Sequence, residues 1–158
     1  MPTSIPTSLK PAQIGKCGEL LVQYRLLLLG IESAPMSTDT GIDLVVYAPK
    51  LQTALTIQVK ANLKAKPGGG RGKLALDWWV PEASPAQLVA LVDLSTEMVW
   101  LLTHGELLSH AQQRSSGRVH FYMRTDPRPA PRKDKLPSHL HEFDHFLLSN
   151  RAQEIFGL

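Results

Sequence analysis

A single cysteine, Cys17, stands in 158 residues, so no internal disulfide can form and a reducing, cytoplasmic setting is expected. Cys17 itself reads as a small helix side chain. No run approaches the roughly 18 to 20 apolar residues that a membrane span needs; the longest candidate, residues 26–31, is brief and follows Arg25. The N-terminal MPTSIPTSLKP has no basic segment followed by an apolar one, which predicts no secretory signal. Charge of one sign is also scarce, since the formal net charge is only +3. With 43% hydrophobic residues the length fits one globular domain over 1–158, large enough for a real core and too short for two comfortable ones.

The mild charge is unevenly placed. Lys64, Lys66, Arg71 and Lys73 fall in one loop, and Arg124, Arg128, Arg132, Lys133 and Lys135 fall in or beside another. Two basic loops on a near-neutral body suggest contact with a polyanion, with plain solvated loops as the bland alternative. The first loop, LKAKPGGGRGK, is no P-loop, because no hydroxyl residue and no helix follow its lysine. Its glycines would let a backbone approach a phosphate closely. The second, residues 125–137, holds four prolines and is expected to lack regular structure. Residues 1–11 read as a flexible lead-in, and 64–73 and 125–137 as mobile basic loops.

Between these, periodicity marks the elements. Ile14, Leu20 or Leu21, Tyr24 and Leu28 recur at helical spacing over 12–29, with Gly30 as the cap. A short strand over 31–36 leads to the turn STDTG, where Asp39 caps the turn through its own backbone and remains a secondary acidic candidate. Later come strands over 74–80, 88–94, 98–103 and 119–123, a short helix over 105–113, and a last helix over 138–156. Trp78 and Trp79 fall on opposite faces of their strand, so one is expected in the core. The other suits either a stacked base or packing under a loop. His141 and His145, at i and i+4 of the last helix with His139 nearby, invite a zinc reading. No supporting cysteine or H-E-x-x-H pattern accompanies them, and surface histidines are the default.

The stretch with most chemical content is 41–62, GIDLVVYAPKLQTALTIQVKAN. Ile42, Leu44, Val45, Val46 and Tyr47 form one strand; Leu55, Ile57 and Val59 alternate with Thr56, Gln58 and Lys60 in the next. Paired as a hairpin, these strands bring Asp43 to the end that carries Gln58 and Lys60, which share a face because side chains alternate. On the hairpin alone, an ordinary cross-strand ion pair worth about 1 kcal/mol or less explains Asp43 and Lys60 equally well.

Glu19 on the first helix changes the balance if the helix packs on the sheet. Two carboxylates, the Gln58 amide and the Val59 backbone carbonyl would offer the oxygen ligands that Mg²⁺ prefers, with Mn²⁺ as a substitute. Such an ion polarises a phosphate oxygen and acidifies a bound water, while Lys60 would orient that water and offset developing charge. The reaction described is metal-assisted phosphodiester hydrolysis, with Glu19, Asp43, Gln58 and Lys60 as the catalytic set. Lys64, Lys66, Arg71 and Lys73 would supply counter-charge to the substrate's nucleic-acid backbone.

In order and spacing, Glu19, Gly30, Asp43 in GIDLVVY, and Gln58-Val59-Lys60 resemble the PD-(D/E)XK nuclease superfamily, in its resolvase-like branch. The resemblance covers residues 14–62 and implies a restriction-endonuclease-like α/β fold, a central mixed β-sheet flanked by helices. It also implies a Mg²⁺-dependent DNA endonuclease of resolvase or restriction type and, by resemblance alone, a homodimer. Three features depart from the pattern: Gln58 stands at the family's second acidic position, Gly41-Ile42 and not a proline precede Asp43, and no long crossover helix follows Lys60. Gln58 therefore keeps a second reading open, a catalytically silent nuclease-fold protein that binds nucleic acid or a partner protein. A plain interaction domain would leave the spaced matches unexplained.

Overall fold

The computed structural model describes residues 4, 8–127 and 136–158. Helix α1 (Pro11–Leu28) starts with proline at its first position, where a missing N–H costs nothing, and ends before Gly30, whose positive φ of 76° closes the helix. Strands β1 (Glu32–Pro35), β2 (Leu44–Ala48) and β3 (Thr53–Asn62) follow as an antiparallel meander. The chain then makes an excursion through β4 (Lys66–Pro67), a 3₁₀ turn (Gly68–Gly70) and β5 (Leu74–Pro81). It returns as β6 (Leu88–Asp93), β7 (Met98–Thr103), α2 (His104–His110), β8 (Gln113–Ser115) and β9 (Arg118–Arg124). A 3₁₀ segment (Leu140–Phe146) and α3 (Leu148–Phe156) close it.

Two sheets result. The central one is mixed, in the order β1-β2-β3-β6-β7, and only the β3/β6 pair is parallel. The second is antiparallel, in the order β4-β5-β9-β8. Helices α1 and α3 cover one face of the central sheet through Val22, Leu26, Ala152 and Phe156, packed on Leu44, Ile57, Val59 and Ala90. The second sheet and α2 cover the other face, where Leu76, Trp78, Phe121 and Leu107 meet Val89, Leu91 and Trp100. Strand β6 (LVALVD) is buried at every position because it lies between these two cores, which is why it reads as an unbroken apolar run. No helix among the described residues is long and apolar enough to cross a membrane.

The mixed central sheet flanked by helices is the architecture expected from the sequence, with four differences. First, α1 buries Gly18, Val22 and Leu26, while Leu20, Tyr24 and Leu28 are 54%, 57% and 65% exposed. Leucines surround the helix from residue 20 onward, so periodicity cannot choose its face; the close fit of Gly18 on β3 does. Second, residues 64–73 are not a free loop but fold back as the β4–β5 hairpin. Third, the short helix stops at His110, and Gln113 belongs to β8. Fourth, the last helix is broken at Leu147, whose extended backbone (φ −53°, ψ 136°) separates the 3₁₀ segment from α3. The break matters for the histidines, because a 3₁₀ repeat aligns i with i+3 and removes the shared face assumed for His141 and His145. His139 is buried beside Glu142, whereas His141 and His145 are exposed. Arg124 lies in β9 rather than in a loop; Arg128, Arg132, Lys133, Lys135 and most of the lead-in lie outside the described residues.

Candidate active site

The site is built where β2 ends and β3 continues. Leu44 pairs with Ile57, and one residue earlier Asp43 leaves the ladder: its N–H donates to the Ile57 carbonyl and its own carbonyl accepts from Met36, both at 2.9 Å. With its backbone pinned from two sides, Asp43 turns its carboxylate to the edge of β3, where Oδ2 accepts the Val59 N–H at 2.7 Å. The carboxylate thus stands where a strand carbonyl would otherwise complete the ladder. N–H and C=O of one extended residue face the same edge, so the Val59 carbonyl opens on this notch too.

Glu19 comes from α1 to the cleft that Asp43 also lines. Gly18 permits it, because the Gly18 backbone rests on Ala61 and Val59 so closely that a Cβ built there would lie 2.6 Å from the Ala61 Cβ. Glu19 and Asp43, with Asp39, line one cleft of about 330 Å³. The Glu19 side chain is 21% exposed and pairs with Lys16 Nζ at 3.2 Å, so a cation already balances it. Asp39 does cap its turn, accepting the Gly41 N–H at 3.4 Å, and it also faces the cleft. These are hard oxygen donors of the kind a divalent cation selects. Among the described residues, no three carboxylate, imidazole or thiol groups come close enough together to hold an ion by themselves.

Gln58 and Lys60 do not line this cleft. Val59 and Ala61 face α1, so the alternating Gln58 and Lys60 point to the opposite face of β3, toward the second sheet. Gln58 is buried, and its Oε1 accepts from the Ser84 hydroxyl at 3.4 Å. Asn62, next on that face, donates to the Asp77 carbonyl at 2.7 Å. Lys60 lies between them, half-buried, and no carboxylate among the described residues pairs with it. Lys64, Lys66, Arg71 and Lys73 sit on or beside the β4–β5 hairpin, and of these Lys73 is tied to Asp126 at 3.7 Å.

Two contributors carry little signal in the sequence. Lys16 is one turn from Glu19 and could be flagged only by helical spacing. Ser84 shows itself as a turn former, accepting the Ala86 N–H at 3.2 Å, but nothing in PEASPAQ marks its approach to Gln58.

No family model matches the chain, and no curated protein does. A solved structure does match: the bacterial homing endonuclease I-Ssp6803I superposes with a TM-score of 0.55, over 92% of this chain and 99% of that one. The chain shares the fold of a homing endonuclease. At 16% identity the likeness is one of fold alone.

Proposed function

We propose that the protein is a divalent-metal-dependent DNA endonuclease of the PD-(D/E)XK type, resolvase-like or restriction-like in action. The observation that carries this reading is that Glu19, from a helix, and Asp43, from a strand end and held by the Val59 N–H, line one cleft. The fold shared with a homing endonuclease supports it. Glu19, Asp43 and the Val59 carbonyl would hold Mg²⁺ or Mn²⁺; Gln58, turned to the opposite face of β3 and bonded to Ser84, would be a positioning group and not a ligand. When bound, the ion would polarise the scissile phosphate and acidify a water.

The chain's own groups do the rest. Asp43 is oriented by the Val59 N–H, so its second oxygen is left for the cleft. Glu19 is paired with Lys16, which an ion bound there would displace. Lys60, a half-buried ammonium without a carboxylate partner among the described residues, lies on the face of β3 away from the cleft, so it would orient the attacking water and offset phosphorane charge only with the scissile phosphate lying across the sheet edge at Asp43. Lys64, Lys66, Arg71 and Lys73 would track the DNA backbone.

A second reading, a silent nuclease fold that binds nucleic acid or protein, is favoured by one observation. Gln58 is neutral, buried and engaged with Ser84 where a carboxylate would strengthen metal binding. Incubation with supercoiled, linear and branched DNA plus Mg²⁺ or Mn²⁺ separates the two. Cleavage by the wild type that disappears in Asp43→Ala and Lys60→Ala supports the enzyme; DNA binding without cleavage under either metal leaves only the second reading.

A further inference from the structure

The second sheet turns one face to the core and the other away from it. Strand alternation sends Leu76, Trp78 and Val80 of β5, with Val119, Phe121 and Met123 of β9, into the interior. The opposite face carries the cross-strand pairs Trp79 with His120, Asp77 with Tyr122, and Ala75 with Arg124, and ends at Arg118 opposite Pro81. An outward sheet face needs polar residues, but not this selection: three aromatic rings in a row with an arginine at each end.

The rings hold the arginines. Arg118 lies over the Trp79 ring at 5.7 Å and Arg124 over Tyr122 at 5.8 Å, geometries in which a guanidinium is attracted to the ring face. Neither has a carboxylate partner among the described residues. The one acid in the row, Asp77, is bonded to His120 at 2.8 Å. Arg124 also borders a cleft of about 440 Å³ whose far wall is Lys66, Gly68 and Gly72 of the glycine-rich hairpin. Six residue-to-residue steps of strand separate the two arginines, about 20 Å at 3.3 Å per step. Beyond Arg118 and Pro81 the chain enters the loop whose Ser84 touches Gln58 and whose Pro85 abuts Gly41, two residues from Asp43. The row therefore leads to the candidate active site.

We infer that this face is a docking track for the phosphodiester backbone of duplex DNA, with Arg118 and Arg124 as phosphate contacts and Trp79 and Tyr122 as the residues that position them. It rests on the nuclease reading for the identity of the polyanion. A duplex is favoured over a single strand because the rings are already used: Trp79 is stacked on His120 at 4.3 Å and 7°, and His120 tilts against Tyr122 at 5.6 Å. A single-strand platform needs free ring faces for bases.

The test is binding of a labelled duplex of mixed sequence, in EDTA so that nothing is cut, over a series of salt concentrations. Loss of one phosphate contact lowers the slope of log K against log salt by about 0.9. Arg118→Gln and Arg124→Gln are each expected to lower it by about that much, and the double variant by about 1.8, with Arg114→Gln unchanged. Arg114→Gln is the control, because Arg114 pairs with Glu82 and stands opposite inward-facing Val119. An unchanged slope in the double variant, no duplex binding by the wild type at low salt, or tighter binding of a single strand of equal length would each overturn the inference. If the slopes shift but no metal supports cleavage, only the nuclease reading falls; if DNA is cut and the slopes do not shift, only the track falls.

Discussion

Gly18→Ala is the most informative single substitution, because it adds one methyl group at the contact that sets α1 on β3. The new Cβ would lie 2.6 Å from the Ala61 Cβ and 3.4 Å from Val59 Cγ1. Carbon atoms rest at about 3.5 to 4.0 Å, so the helix has to back away by about 1 Å. Alanine favours a helix interior over glycine by about 1 kcal/mol, while overpacking a close contact costs about 1 to 3 kcal/mol. The net expectation is a loss of about 0 to 2 kcal/mol, small enough for the protein to stay folded. Glu19 is the next residue and moves with the helix, away from Asp43. A misplacement of about 1 Å can lower a rate about 100-fold, so nicking of supercoiled DNA should fall far more than stability does. Ala61→Gly in the same chain removes the opposing methyl and should restore the rate, though not stability, since glycine within a strand costs about 0.5 to 1 kcal/mol. A Gly18→Ala protein that cuts like the wild type, or a double variant with no recovery, would refute the claim that this spacing sets the site.

Three further outcomes follow from other contacts. Asp43→Asn keeps an oxygen for the Val59 N–H and should preserve stability while abolishing cleavage; Asp43→Ala should also lose about 1 to 3 kcal/mol in chemical denaturation, because that N–H is left without its partner. Arg151 is buried, with Glu106 at 2.7 Å and the exposed Glu154 at 3.1 Å, so Arg151→Ala should destabilise by about 2 to 3 kcal/mol, nearly all through Glu106. Burial alone would raise the Glu142 pKa, but the N–H groups of His139 and Ser138, each donating at 2.9 Å, and the charges of His139 and His141 hold it below the ordinary carboxylate value. A depressed folded-state pKa gives stability that is fully present above the unfolded value and lost as pH falls through the folded one. Denaturation midpoints of the wild type should therefore drop below about pH 4.5 more steeply than those of Glu142→Gln.

Much of this molecule could be read from its residues, and what could not depends on packing between distant segments. The β2–β3 hairpin, β5, β6 and β7 announce themselves through alternation and turn residues, which are local. Asp43 at one strand end and Gln58 and Lys60 on one face of the next also follow from period-two geometry. The direction in which that face points does not, because Ile57, Val59 and Ala61 could in isolation have faced either layer. The setting of α1 was hidden for the same reason: leucines surround it, and only Gly18 against Ala61 selects the buried side. The β4 and β8 strands are two and three residues long, and β5 finds β9 across some forty intervening residues. The row from Arg118 to Arg124 exists only once that pairing is made. Leu147 breaks the last helix because Leu148 and Phe156 belong to one core and Phe143 and Phe146 to the other.

The central claim is that Glu19, Asp43 and the Val59 carbonyl form one divalent-cation site. Anomalous diffraction from a crystal soaked in Mn²⁺ tests it most directly. The expected result is a peak in the cleft in contact with both carboxylates, with Lys16 displaced from Glu19, and its loss in Asp43→Asn. A peak elsewhere, or none while Lys16 still holds Glu19, would contradict it.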